Sequence, residues 1–240
     1  DHRDLHLSLR RQRQMCIRDS NITVLPSYTE GYPYVVDESL SRDRPVIVFE
    51  EISNQWGELD FVLHSMASAT KEMTTSRLID IKLNDFNFAM QISCYSFLAV
   101  AKLSEPLLKK TQGSLITLTY LGGQRVLENY HFMGPMKSAL ESCVRYLASE
   151  LGGDNIRVHT ISAGAMPTRA ASGIQDLAGL LKTTEERAPL QRLCTPREVG
   201  ELMAFLSGPN SQGMTGGIHY VDGGYNIPVS YTHLTLPTNA

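Results

Sequence analysis

The chain has 240 residues, 42% hydrophobic and 20% charged, with a net charge of −3. That length and balance suit one large domain with a sizeable core and exclude a disordered chain. A weakly acidic chain gives no electrostatic basis for binding nucleic acid or an anionic membrane, and no apolar run is long enough to span a bilayer. Four cysteines, Cys16, Cys94, Cys143 and Cys194, are widely spaced with no CxxC pair. Reduced thiols in a cytoplasmic protein are expected, with neither a zinc site nor a disulfide framework.

Residues 1–20 hold no apolar period that would build a core, and their arginines (Arg10, Arg11, Arg13, Arg18) fall in what reads as a tail. Residues 21–50 read as a small βαβ unit: an apolar strand at 22–25, a turn at 26–31, a short helix over 34–40 and a second strand at 45–49. The next unit begins with a helix that closes at Gly57 and a strand over 60–64. The two units compete for Phe49, which suits the strand of the first and the helix of the second. Such disagreement between levels marks residues 46–52 as a seam between sequences of different origin.

Residues 67–83 are polar and predict a loop. From 84 to 110, apolar residues recur at helical spacing: Phe88, Ile92, Tyr95, Ala99, Leu103 and Leu107. Ser114 to Thr119 predicts a buried strand, and Ala139, Leu140, Val144 and Leu147 predict a helix that stops at Gly152-Gly153. A strand follows over 157–161. Residues 166–187 are small and polar and predict a mobile flap. Thr195-Pro196-Arg197-Glu198 is a capping box with proline at the first helical position, opening a helix that ends at Gly208. The last strand is expected over 218–222. Strands and helices alternate, which predicts an α/β architecture with a parallel, helix-flanked sheet.

The chemistry concentrates between Tyr120 and Lys137, where a strand gives way to a helix. Tyr130 and Lys137 are seven residues apart, so on a helix they would share a face. A phenol and an ammonium at the carboxyl end of a parallel strand make a proton-donating site. Spacing alone allows a plainer alternative, a packed tyrosine and a solvated lysine on an amphipathic helix.

The words WGELDFVLHSMA, SLITLTYLGGQRVLENYHFMGPMKSALES, RYLASELGGDNIRVHTISAGAMPTRAASGI and MTGGIHYVDGGYNI resemble the NADH-dependent enoyl-acyl-carrier-protein reductases. That family is a divergent branch of the short-chain dehydrogenase/reductases, and the resemblance runs over about residues 48–227. Most of the wider group use Tyr-x3-Lys; the spacing here is Tyr-x6-Lys, with Tyr120 a further ten residues upstream. The resemblance implies a Rossmann-like doubly wound parallel sheet. Tyr130 would donate a hydrogen bond to the thioester carbonyl, Lys137 would bind the nicotinamide ribose and make the phenol more acidic, and Tyr120 would lie near the acyl chain. Ser65 and Met66 would lie beside the cofactor, as would Met166, Pro167, Thr168, Arg169 and Ala170, and Ala69 would touch substrate. NADH is the implied cofactor, with NADPH open. Enoyl-acyl-carrier protein is the implied partner, and the long helices would pair in a homotetramer.

Three departures qualify that expectation. None of the 18 glycines forms GxGxxG, so the usual N-terminal glycine-rich βαβ half is lacking, and weak cofactor binding with low or no activity is expected. Residues 21–50 resemble instead a fragment of a retaining glycosyltransferase, in which Glu30 and Glu38 would have the donor-site spacing; a glycosyltransferase fragment and a non-functional chimeric reading frame are the alternatives. RQMCIRDS and VSYTHLTLPTNA resemble translated sequencing-adapter sequence. The expected organisation is thus a tail at 1–20, a foreign βαβ-like fragment at 21–50, the reductase portion at 51–227 and a second tail at 228–240.

Overall fold

The structure is a computed structural model and describes residues 23–25, 49, 52–168, 171, 174 and 176–228. Glu30, Glu38, Arg169, Ala170 and both expected tails lie outside the described residues. Among the described residues, five parallel strands form one sheet in the order β1-β2-β3-β4-β5. They are β1 (Thr23–Leu25), β2 (Phe61–His64), β3 (Ser114–Thr119), β4 (Arg157–Ala163) and β5 (Ile218–Val221). Spatial order equals chain order, so the described sheet contains no reversal of strand order, the feature that opens a cofactor crevice in doubly wound sheets. In register, Leu63 faces Ile116, Thr119 faces Ser162 and Ala163 faces Val221. All carboxyl ends therefore emerge along one edge.

Helices cover both sheet faces because the central strands are apolar on both. On one face, Val62, Leu115 and Val158 pack with Phe97, Leu108, Leu140 and Val144. These helical residues belong to α3 (Ser96–Thr111) and α4 (Met133–Leu151). On the other face, Leu63, Ile116 and Ile161 pack against Val199 and Leu206 of α6 (Pro196–Ser207). The Thr195–Glu198 capping box forms as expected: the Thr195 hydroxyl accepts from Glu198 N, and the Glu198 carboxylate accepts from Thr195 N at 2.8 Å. At the other end of α6, the buried Arg157 guanidinium donates to Leu206 O at 2.6 Å, satisfying a terminal carbonyl.

Several expectations need correction. Phe49 is helical and buried in the α3–α4 core with Ile52, so the strand expected at 45–49 does not include Phe49; residues 46–48, 50 and 51 lie outside the described residues. The loop expected at 67–83 carries α1 (Lys71–Thr75), with Thr70 accepting from Met73 N, and a 3-10 turn at Leu78–Asp80. The helix expected over 84–110 forms without a break, but it changes pitch midway: α2 (Leu83–Met90) runs through a π turn (Gln91–Tyr95) into α3. The π turn rotates the stripe, so Ile92, Ser93 and Cys94 are all buried while Tyr95 is 58% exposed. Within the segment read as a flap, α5 (Leu177–Arg187) forms behind the Asp176 cap. After α4, the left-handed residue is Asn155 (φ 57°), and Gly152 stays right-handed at the start of a 3-10 turn. Cys94 and Cys143 meet across the π turn and α4, Sγ to Sγ at 3.6 Å, although 49 residues separate them.

Candidate active site

Strand β3 delivers Tyr120, still extended (φ −144°, ψ 153°), to the carboxyl edge, and the chain turns at once through a 3-10 turn, Leu121–Gly123. The two glycines there are required by close approach. A Cβ on Gly122 would meet the Tyr130 ring at 2.2 Å, and one on Gly123 would meet the Glu141 carboxylate at 2.6 Å and the Lys137 Cβ at 3.1 Å. Tyr130, Lys137 and Glu141 thus all close on the Leu121–Gly123 turn. The Tyr120 and Tyr130 rings lie edge to face, 5.0 Å between centroids at 64°.

Tyr130 is not on the helix. It sits in a turn before α4, between Asn129 (φ 60°) and His131 (φ 45°), with Met133 N donating to Tyr130 O at 3.2 Å. The helical face that the seven-residue spacing implied does not exist, and the turn makes the approach instead. Burial pushes both phenols up from their ordinary value; Tyr225 and Asp222 add to this at Tyr120, and Tyr120 and Glu141 at Tyr130. Lys137 is not among the groups that shift Tyr130, and the net shift is upward. Both phenols are thus held in the protonated form, which can donate a hydrogen bond. The buried Tyr120 hydroxyl has no hydrogen-bond partner among the described residues.

Lys137 lies in the second turn of α4, 8% exposed, and its Nζ donates to Leu118 O at 2.9 Å. Burial draws its pKa down to about 8, against the opposing pull of Glu141 and Cys94. At neutral pH it is an ammonium with three donors, one of which this bond uses. Glu141, one helical turn further on, was not among the expected site residues. Its Oε1 accepts from the Thr119 hydroxyl at 2.7 Å, and burial raises its pKa. It ties the last residue of β3 to α4. Its position four residues after Lys137 was legible, but its partner Thr119, 22 residues earlier, was not.

The remaining expected residues sit along the same edge on either side of β3. Ser65 and Met66 leave β2, and both are partly buried. Ala69 packs on a cluster of Met73, Ala89, Phe132 and Met136, and that cluster reaches the tyrosine turn through Phe132. Met166, beyond β4, packs on the α6 side, while Pro167 and Thr168 are exposed. The Thr168 hydroxyl accepts from Ala171 N at 3.2 Å. Tyr120, Tyr130 and Lys137 thus form one group, flanked by the β2 and β4 segments at the sheet edge.

A helix-flanked parallel sheet with a tyrosine pair and a buried lysine at its carboxyl edge defines an oxidoreductase of the short-chain dehydrogenase/reductase type. Residues 42–226 match the family described as Enoyl-(Acyl carrier protein) reductase. The chain belongs to that family. It is 44% identical over 198 residues to the NADH enoyl-acyl-carrier-protein reductase FabI of Rickettsia conorii, covering 82% of this chain and 76% of that one. The corresponding protein of Synechocystis is 46% identical over 180 residues, covering 75% of this chain and 69% of that one. Among solved structures, the Bacillus cereus enoyl-acyl carrier protein reductase with NADP+ and indole naphthyridinone superposes with a TM-score of 0.76 at 39% identity, covering 78% of this chain and 72% of that chain. The Anaplasma phagocytophilum enzyme in complex with NAD gives 0.74 at 39% identity, covering 78% and 71%. Residues 1–41, with Glu30 and Glu38, fall outside the family match.

Proposed function

We propose that this chain reduces the carbon–carbon double bond of an enoyl thioester carried on acyl-carrier protein, with NADH as cofactor. The observation that carries the reading is the grouping of Tyr120, Tyr130 and Lys137 around the Leu121–Gly123 turn at the carboxyl edge. The residues fit a nicotinamide ribose: Lys137 is a buried ammonium with donors to spare, and at the same strand end Tyr120 carries a buried phenol with no partner among the described residues. Lys137 would hold the ribose hydroxyls, with Ser65, Met66 and the 166–170 segment lining the cofactor and Ala69 the substrate. Bound there, NADH supplies the hydride that adds to the β carbon of the enoyl chain. Tyr130, kept protonated by its surroundings, donates a hydrogen bond to the thioester oxygen. That bond strengthens as negative charge builds on the oxygen, so it stabilises the transition state more than the ground state. Tyr120 packs edge-on against the Tyr130 ring and holds its orientation.

The sequence holds no GxGxxG, so NADH affinity is expected to be low and turnover slow at limiting cofactor. The test is NADH absorbance followed with a crotonyl thioester of acyl-carrier protein over a wide range of NADH concentrations. Absence of protein-dependent oxidation at every concentration overturns the reading.

The same reading implies a homo-oligomer acting in the cytoplasm. A groove of about 480 Å3 between α3 and α4, lined by Leu98, Lys102, Cys143 and Tyr146, with Tyr146 71% exposed, supports pairing of those helices between subunits. No described helix is long and apolar enough to cross a membrane. The boundary of the reductase portion, expected near residue 50, is drawn ahead of Phe49, because Phe49 packs in the same core as Phe97 and Leu108.

A further inference from the structure

The segment from Ser65 to Ala69, which carries the proposed cofactor contacts Ser65 and Met66, is fixed at both ends by one structural oddity. That oddity is the π turn at Gln91–Tyr95. Ser93, fully buried within it, bonds both backbone groups of Ser68: Ser68 N donates to Ser93 Oγ at 3.0 Å, and Ser93 Oγ lies 3.2 Å from Ser68 O. Ser96, the first residue beyond the turn, lies 2.8 Å from His64 Nε2. The His64 Nδ1 lies 2.8 Å from the Thr117 hydroxyl on β3. His64 is the last residue of β2, and Ser65 follows directly.

The π turn makes this arrangement possible. A regular α-helix would send the Ser96 N–H to Ile92 O; here it reaches Gln91 O, and the Ser96 hydroxyl takes Ile92 O at 2.6 Å. Widening the helix by one residue also turns Ile92, Ser93 and Cys94 inward together, which a one-faced α-helix does not do. The imidazole stays neutral, because burial first, and then the Lys137 charge, push its pKa down to about 3. The Phe97 ring packs on it with centroids 5.2 Å apart. His64 is therefore a fixed strut between β2, β3 and the turn.

We propose that the π turn is a positioning clamp for the cofactor segment, in which Ser93 and the Ser96–His64–Thr117 chain hold Ser65–Ala69 in its binding geometry before cofactor arrives. None of these four residues touches the reacting atoms; each acts through Ser65 and Met66. The proposal rests on the reading of Ser65 and Met66 as NADH contacts, and its test separates the two. Amide hydrogen exchange and NADH binding are measured on the full chain and on Ser93→Ala. The clamp predicts exchange at Ser68 and across 65–69 faster by about tenfold or more, no change in β3 and β4, and an NADH Kd raised by about tenfold. Leu108→Ala, a core variant away from this segment, lowers Tm and leaves both readouts unchanged; equal effects from Leu108→Ala overturn the clamp. Unchanged exchange across 65–69 in Ser93→Ala also overturns it. If exchange responds but the unsubstituted chain binds no NADH, the clamp stands and the cofactor reading falls. Should Ser93→Ala fail to fold, Ser93→Cys, near in size but a weak donor and acceptor, gives the same exchange readout.

Discussion

The two halves of the candidate site are built in opposite ways. On the β3–α4 side, Tyr120, Tyr130, Lys137 and Glu141 come from 22 consecutive residues and close on a glycine-glycine turn within that run. On the β2 side, the Ser65–Ala69 segment is gripped by side chains that arrive from the π turn and from β3, 25 to 53 residues further on. The first half is local and carries its own instructions; the second has a shape only after the long helix has packed. The difference teaches that chemistry and positioning are encoded at different ranges in this fold.

Substitutions can break either half separately. Tyr130→Phe removes the donor to the developing oxyanion and is expected to lower kcat by about 10²- to 10³-fold with Tm little changed. Steady-state kinetics with a crotonyl thioester check this, and a loss under tenfold would shift the donor role to Tyr120. Gly122→Ala drives a methyl group into the Tyr130 ring and, as overpacking, is expected to cost about 1–3 kcal/mol of stability as well as activity. Denaturant unfolding measures the first and kinetics the second. If Gly122→Ala leaves both unchanged, the local half is less rigid than the contacts imply.

Lys137 gives a pH test. Its pKa is about 8 folded and 10.5 as an ordinary lysine, so between those values the unfolded chain holds a proton that the folded chain has released. Stability contributed by this group therefore rises with pH across that window, with a slope up to about 1.4 kcal/mol per pH unit. Lys137→Met should abolish that rise, read from Tm between pH 8 and 10 against the unsubstituted chain. Thr195→Ala, in a cap remote from both halves, is expected to cost about 1 kcal/mol without altering KM. It calibrates how much stability can be lost with the site intact.

The strands at 114–119 and 157–161, the α4 stripe of Leu140, Val144 and Leu147, and the α6 capping box were legible because each is specified by neighbours within one or two turns. The tyrosine–lysine spacing was legible as a motif, but its geometric explanation was not. A helical face was inferred, and the structure uses a turn with two left-handed residues, Asn129 and His131, neither of them glycine. The depth at which Tyr130 is buried, which raises its pKa, was not legible either, because it depends on the packing of the turn.

The sequence by itself determined the alternation of strands and helices, the two-sided burial of the central sheet and the residues of the Tyr120–Lys137 group. It did so because apolar period and turn chemistry act over a few residues. Only the tertiary structure decided that Phe49 belongs to the reductase core, that Cys94 meets Cys143 and that Glu141 joins Thr119. It alone also placed Ser93 and Ser96 against the β2 edge. Those pairings join residues tens of positions apart, and they form only where a packed core leaves a buried polar group no other partner.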